Sequence, residues 1–313
     1  MVKLIDIARQ LGLSVTTVSY SLNNDPRIPA ATKQRVLDAA EKLGYRGRSG
    51  KPRGSGYLKQ VVLCLNSLRG GVYTEIVEAM KDTLVLNNCD LMVYVGSDVT
   101  RIKWMDGLFV LNSKVSNSDI MQITSRNIPV ILMDRETELD GAVSVTLDNF
   151  NGCKEATQCA VDAGAKTFAF IGGPKESFES GYRYNGFKSA LAENGLNDKN
   201  TLVLQTDFTY DGGLNACRFV LEHTRLPDAV VCANDETAMG IIAGLKAGNV
   251  KKDIIVTGFD GVMKYDAPNR FVTAKADPAH WAASSSYSML QLFEHITSTA
   301  AKKIPVKTVR YNI

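Results

Sequence analysis

The sequence of 313 residues contains few histidines, no paired cysteine motif and no long apolar run. Its three histidines, at positions 223, 280 and 295, are scattered and lack the spacing of a metal site. Its six cysteines lie in apolar segments without CxxC spacing, which is typical of buried, reduced thiols in the cytoplasm. No stretch is apolar enough to cross a bilayer, and charges interrupt the N-terminus where a secretion signal would lie. We therefore expect no metal, no cofactor, no membrane partner and a cytoplasmic location.

Motifs of common enzyme classes are also missing from the sequence. There is no Ser/His/acid set with a nucleophile elbow, no P-loop, and no GxGxxG segment after a predicted strand. We therefore expect a protein that binds its partners and is not an enzyme.

Charge is distributed unevenly along the chain. Residues 1–60 hold 11 Lys and Arg against four acidic residues, so this segment carries +7 and the remainder −4 of the net +3. A basic N-terminal segment followed by a slightly acidic body is typical of a head that binds a polyanion.

The segment LIDIARQLGLSVTTVSYSLN, which is residues 4–22 followed by Asn23, predicts a helix-turn-helix. The apolar residues Leu4, Ile7 and Leu11 recur at helical spacing, and Gly12 suits the bend between two helices. Ser14 is placed to cap the second helix. The alternative is an ordinary pair of packed helices. If the motif reads DNA, its contacts are expected from Ser14, Val15, Thr16, Thr17, Ser19, Tyr20, Asn23 and Lys33.

A third helix is expected to begin at Pro29 and to end at Gly44, which completes a three-helix head over residues 1–45. Residues 46–59 are rich in Gly, Ser, Pro and basic residues and predict a linker. Two series of short apolar strands alternate with helical segments beyond it. They predict an α/β body of two lobes, each built on a parallel sheet. We expect the lobes to span 60–147 plus about 279–303, and 148–278 plus about 304–313.

Polar residues end several predicted strands, including Asn66, Asp134, Asn234 and Asp260. Ligands of such sheets bind beyond the carboxyl ends of the strands, and a crevice between two lobes would collect these ends. The alternative, strongest for Asn234, is that these side chains cap the helices that follow.

The sequence resembles the LacI/GalR family of bacterial transcription regulators over nearly its whole length. The motifs that carry the resemblance are IDIARQLGLSVTTVSYSLN, TKQRVLDAAEKLGY, LDNFNGCKEAT, FAFIGGP, RYNGFKSAL, VVCANDETAMGIIAGLK and IIVTGFD. The resemblance implies a nucleoid-associated homodimer on a near-palindromic operator in double-stranded DNA. It also implies a body like a periplasmic binding protein, which holds a small effector, commonly a sugar or its derivative.

The resemblance also assigns effector contacts. It matches Arg183, Asn234 and Asp260 to family ligand contacts, Asp134 to a further contact after a strand, and Phe208 to an aromatic residue that stacks on the ligand. Phe208 has the alternative of a core aromatic. Weaker candidates lie at the first strand-to-helix turn. The complete predicted set is Ser67, Tyr73, Asp134, Arg183, Phe208, Asn234 and Asp260. The two aspartates favour a neutral, hydroxyl-rich ligand over a strongly anionic one.

Three segments depart from the family pattern. Tyr20 stands where the family usually has an arginine that contacts guanine, so we expect a different operator base there. The linker has KPRG in place of the family's A-x-x-L hinge helix, so Arg46, Arg48 and Arg53 are expected to track phosphates instead. The connection from Val95 to Asp106 is shorter than a helical crossover requires, through either a natural deletion or an omitted segment.

An effector-controlled repressor is therefore the leading hypothesis. A transport-type solute-binding protein is the alternative from another class, and a purine-like corepressor is the alternative within the family. The sequence does not decide between an inducer and a corepressor.

Overall fold

The computed structural model describes residues 2–22, 27–43, 45, 58–68, 71–196, 201–222, 225–262, 270–294 and 301–312. Four predicted DNA contacts, Asn23, Arg46, Arg48 and Arg53, lie outside the described residues, as does most of the predicted linker. Within the described residues, no helix has the length and apolar character needed to cross a membrane.

The N-terminal head consists of helices α1 (Leu4–Leu11), α2 (Val15–Leu22) and α3 (Ala30–Lys42). Gly12 ends α1 with φ 67°, so the predicted bend is confirmed at the residue best able to adopt it. The Ser14 hydroxyl accepts a hydrogen bond from the Thr17 amide at 2.9 Å and thereby caps α2. Helix α3 starts one residue after Pro29. The head has its own core, in which Ile7, Val18, Val36 and Ala40 are fully buried.

The body is α/β, as predicted. Its helices are α4 (Gly71–Val85), α5 (Asn117–Thr124), α6 (Asn149–Asp162), α7 (Phe178–Glu193), α8 (Tyr210–Glu222), α9 (Asp235–Ala247) and α10 (Pro278–Phe293). Its strands are β1 (Lys59–Leu65), β2 (Cys89–Val95), β3 (Gly107–Leu111), β4 (Val130–Leu132), β5 (Ala142–Leu147), β6 (Phe168–Gly172), β7 (Leu202–Gln205), β8 (Ala229–Cys232), β9 (Ile255–Asp260), β10 (Phe271–Lys275), β11 (Lys302–Ile304) and β12 (Lys307–Tyr311).

The strands form two sheets, one in each lobe. The first sheet has the order β11-β5-β4-β3-β1-β2 and is parallel throughout. The second has the order β12-β10-β9-β8-β6-β7, and its end strand β12 runs antiparallel to β10, which is a departure from the purely parallel sheets predicted. Helices cover both faces of each sheet, so the inner strands are almost continuously buried, while the edge strands β2, β7 and β12 are largely half-buried or exposed.

The chain passes from one sheet to the other at three places. These are the connections from β5 to α6, from β10 to α10, and from β11 to β12. A lobe pair joined by three such crossings places the carboxyl ends of both sets of strands around a shared crevice.

The short connection between β2 and β3 contains no α-helix. Its residues include one 3₁₀ turn, Val99–Arg101, and cross from the edge strand β2 to the far side of β1. Val99 and Met105 are buried against the sheet beside Val62. The Gly96 carbonyl accepts a hydrogen bond from the Asn112 amide at 2.8 Å. In the given sequence, apolar anchors and side-chain hydrogen bonds thus take the place of a crossover helix, while the choice between a natural deletion and an omitted segment stays open.

Candidate functional site

A cavity of about 490 Å³ lies between the two lobes. Its volume is in the range of small-molecule sites. The first lobe, including α10, contributes Asn66, Ser67, Val72, Tyr73, Leu111, Asn112, Ser113, Lys114, Leu147 and Trp281. The second lobe contributes Pro174, Glu176, Ser177, Glu179, Arg183, Asp207, Phe208, Thr209, Asn234, Glu236 and Asp260.

The structure brings most of the predicted effector residues together in this cavity. Six of the seven line it: Ser67, Tyr73, Arg183, Phe208, Asn234 and Asp260. They come from five separate segments of both lobes, as expected for strand ends that converge on one crevice.

Asp134, the seventh predicted residue, does not line the cavity. It is fully buried and pairs with Arg135 at 2.9 Å, while Arg135 also donates to the Val115 carbonyl at 2.6 Å. Burial raises the pKa of Asp134, the negative charge of Glu179 adds to this, and Arg135 opposes it. The carboxylate of Asp134 thus points toward Arg135 and lies behind the residues that line the cavity, so it is not at the predicted contact position.

Several contacts hold the side chain of Arg183 in the second-lobe wall of the cavity. Helix α7 packs on its sheet through Phe170 and Phe187, whose ring centroids lie 5.2 Å apart. Arg183 Nε donates to Asn149 at 2.8 Å, and Nη1 donates to the Ala233 carbonyl at 2.6 Å. Its guanidinium also stacks on the Phe259 ring at 3.6 Å. This leaves Nη2, 3.6 Å from an oxygen of Asp260, as the group nearest the cavity.

Asp260 occupies a strained and electrostatically unfavourable position. Its φ is 101°, a region that side chains other than glycine rarely adopt. Burial raises its pKa to about 6, against the attraction of Arg183. The buried Asp235 fixes the turn by accepting hydrogen bonds from Val262 N at 2.9 Å and from the Thr273 hydroxyl at 2.7 Å. Strain maintained in this way is a feature of binding and catalytic sites.

Phe208 is the other lining residue with positive φ, at 67°. Its carbonyl accepts a hydrogen bond from the Asn234 side chain at 2.9 Å. Its ring packs so closely on Gly173 that a methyl group there would lie 2.1 Å from the ring. Phe208 therefore belongs both to the second-lobe core and to the cavity wall, and its stacking on a ligand stays a prediction.

Asn234 also has a structural role. Its carbonyl oxygen accepts a hydrogen bond from Thr237 N at 3.1 Å and caps α9, while its amide holds Phe208. An amide group has two N–H donors, so one remains for a ligand.

Sequence reasoning missed the acidic residues of the second-lobe wall: Glu176, Glu179, Asp207 and Glu236. Glu179 and Glu236 fall in the first turns of α7 and α9. Carboxylates are common there for dipole reasons alone, so their positions carry no distinct sequence signal. Together with burial and Asp260, these two glutamates contribute to a pKa of about 12 for Tyr73 on the opposite wall.

The outer face of α2 forms the second candidate site. Val15, Thr16 and Tyr20 are exposed there, and Ser19 is half-buried. The guanidinium of Arg27 lies 4.7 Å from the centroid of the Tyr20 ring. Sequence reasoning missed Arg27. This residue brings a positive charge next to Tyr20, which stands where the family usually has an arginine. Lys33, the remaining predicted contact, is half-buried at the start of α3.

Comparisons with known families cover both parts of the chain. Residues 98–290 match the family described as periplasmic binding proteins and sugar binding domain of LacI family. Residues 3–47 match the family described as bacterial regulatory proteins, lacI family.

Similar full-length proteins include regulators of different names. Catabolite control protein A of Priestia megaterium is 27% identical over 274 residues, which cover 83% of this chain and 82% of that protein. HTH-type transcriptional repressor PurR of Erwinia tasmaniensis is 29% identical over 319 residues, or 95% and 91% of the two chains.

Solved structures show the same fold. The lac repressor dimer bound to operator and the anti-inducer ONPF aligns with a TM-score of 0.71 at 21% identity, over 99% of this chain and 98% of that one. A LacI family regulator from Enterococcus faecium with bound ribose aligns with a TM-score of 0.72 at 20% identity, over 81% and 98%.

Proposed function

The chain belongs to the LacI family of DNA-binding transcriptional repressors, and from this premise we propose that its interlobe cavity binds a small, hydroxyl-bearing effector that controls operator binding. The observation that carries the proposal is the convergence of Arg183, Phe208 and Asp260 on one cavity, with positive φ at two of them. The head works on DNA, so we place the protein in the cytoplasm, as a homodimer on a two-half-site operator.

Sugars and purines remain the two effector classes to distinguish. Tyr73, Phe208 and Trp281 supply rings that can cover the apolar face of a sugar or stack on a base. Arg183, Asn234 and Asp260 supply directional hydrogen bonds for hydroxyls or ring nitrogens. Among the similar proteins, two solved structures contain ribose and four relatives are named PurR, so both classes belong in the test.

A thermal-shift screen against sugars, nucleosides and nucleobases tests the effector proposal. A ligand that binds only the folded protein raises the melting temperature, by an amount that grows with its concentration. We expect compounds of one class to raise the melting temperature of the wild-type protein, and we expect Asp260→Ala to abolish this increase. Failure of every compound to shift the wild-type protein would contradict the proposal.

Selection from a randomised DNA library separates the repressor from the transport-type alternative. The head should recover a near-palindromic site with two half-sites about one helical turn apart or a multiple of it. Absence of any enriched sequence would favour a solute-binding role for the cleft.

A further inference from the structure

The two walls of the interlobe cavity differ strongly in charge. Among the described lining residues, all five carboxylates belong to the second lobe: Glu176, Glu179, Asp207, Glu236 and Asp260. The cationic lining residues are Arg183 on that wall and Lys114 on the other. The described lining therefore carries a surplus of three negative charges.

This count already includes the pairing of Arg183 with Asp260. Arg183 is used by Asn149, the Ala233 carbonyl and Asp260, so it balances one carboxylate and no more. Glu236 is half-buried and has no hydrogen-bond or ion-pair partner among the described residues, and burial raises its pKa. Asp134, just outside the lining, adds nothing to the surplus, because its charge is paired with that of the buried Arg135 at 2.9 Å.

Helix termini offset part of this charge. Helices α7, α8 and α9 begin at the acidic wall and α4 begins at the opposite wall, and each N-terminus is equivalent to roughly half a positive charge. These four termini reduce the surplus to about one negative charge. A neutral ligand would leave this remainder in place and would displace the water that screens it, whereas a monocation would neutralise most of it.

A metal ion does not fit the spacing of these groups. The described residues contain no cluster of three or more His, Cys, Asp or Glu side chains close enough to hold one. Glu179, Glu236 and Asp260 instead line the same cavity as Tyr73, and their negative charges help to raise the pKa of its hydroxyl. An organic cation with several hydroxyl groups matches this arrangement and also the aromatic lining.

We propose that the effector is a hydroxylated monocation, an amino sugar with a free protonated amine, whose ammonium group lies against Glu236 and Glu179 while its ring packs on the aromatic residues. This inference rests on the proposed effector function of the same cavity. It goes further, because it predicts rejection of the uncharged parent sugar and of the N-acetylated sugar, which has the same hydroxyl groups but no charge.

Matched ligand sets test the charge directly. The full chain is titrated with glucosamine, galactosamine and mannosamine, each beside its parent sugar and its N-acetyl form, by thermal shift and calorimetry. We expect one amine to bind at least tenfold more tightly than both uncharged relatives. Binding of a parent or N-acetyl sugar as tightly as its amine would overturn the inference but leave the proposed function intact. If only nucleosides or nucleobases bind, the inference is likewise overturned and the proposed function stays intact. If no compound of either class binds, the proposed function fails with it.

A charge variant supplies a readout that does not depend on finding the ligand. Glu236→Gln removes one charge of the surplus and conserves shape, and Glu222→Gln is the matched control at the exposed end of α8. In the ligand-free protein we expect Glu236→Gln to raise the melting temperature by about 1–3 °C, because a repulsive charge is removed. It should also weaken amine binding at least tenfold, while the control changes neither. A lower melting temperature or unchanged amine binding in the folded variant would overturn the inference.

Discussion

Asp260 is a residue at which backbone conformation and burial disfavour an ionised carboxylate, against the attraction of Arg183. Its pKa of about 6 lies above its ordinary value of 3.8. Between those pH values the folded protein binds a proton that the unfolded chain has released, so the stability due to this group falls as the pH rises from about 4 to about 6. Above pH 6 the ionised group costs about 3 kcal/mol, a cost typical of residues retained for function and not for stability.

We therefore expect Asp260→Asn to raise the free energy of unfolding at pH 7 by up to about 3 kcal/mol, since asparagine is neutral and tolerates positive φ. The gain should disappear below pH 4, where the wild-type aspartate is protonated. Urea unfolding at the two pH values, with exposed Asp90→Asn as the control, measures it. A variant less stable than wild type at pH 7 would contradict this account.

The contact between Tyr20 and Arg27 bears on which operator base the head prefers. A tyrosine hydroxyl makes one hydrogen bond where an arginine would contact guanine with two, and Arg27 packs on the Tyr20 ring. Tyr20→Arg should shift the preferred base pair at one position of each half-site toward guanine by about 1–3 kcal/mol. Tyr20→Phe, which keeps the ring, should lose discrimination at that position only. Competition among operators varied at each base measures both effects, and a wild-type preference for the usual family guanine would refute the idea.

At the scale of elements, the predictions succeeded where a local pattern sufficed. The bend at Gly12 and the cap at Ser14 follow from residues a few positions apart, so α1 and α2 were predictable. The antiparallel β12 and the helix-free connection at 96–106 depend on distant partners, such as β10 and Asn112. No local pattern encodes those contacts. Asp134 was misplaced for a similar reason, because its pairing with Arg135 depends on how both side chains pack.

The basic linker is expected to contribute to the salt dependence of operator binding. The double change Arg48→Ala/Arg53→Ala should reduce the slope of log K against log salt by about one to two per head, since each phosphate contact contributes about 0.9. The pair Lys246→Ala/Lys251→Ala, on exposed lysines of the second lobe, controls for net charge. Operator titrations at several salt concentrations measure the slope. An unchanged slope would show that the linker is a passive tether.

At the scale of the whole molecule, the charge of the cavity emerges only when the two lobes come together. The acids of its wall come from segments up to 84 positions apart, from Glu176 to Asp260, and Glu179 and Glu236 also have a local explanation as first-turn residues of helices. The sequence therefore predicted a cleft with Arg183, Asn234 and Asp260 but not its surplus of negative charge.

The lobes also meet outside the cavity lining. Arg135 follows β4 in the first lobe, and its guanidinium lies 4.7 Å from the ring of Phe178, at the start of α7 in the second lobe. Asp134, paired with that arginine, faces the charge of Glu179 across the same gap. Binding of the proposed cationic effector against the acidic wall would alter the charge balance at this contact and so connect effector binding to lobe orientation.

The central claim is that occupancy of the cavity controls operator binding, and one titration tests it most directly. Fluorescence anisotropy measures the Kd of the full chain for its selected operator, with and without a saturating cavity ligand, in wild type and in Asp260→Asn. We predict a change of about 5- to 150-fold in wild type, the range of typical coupling between sites, and none in the variant. A ligand that binds the cavity but leaves the operator Kd unchanged in wild type would contradict the account.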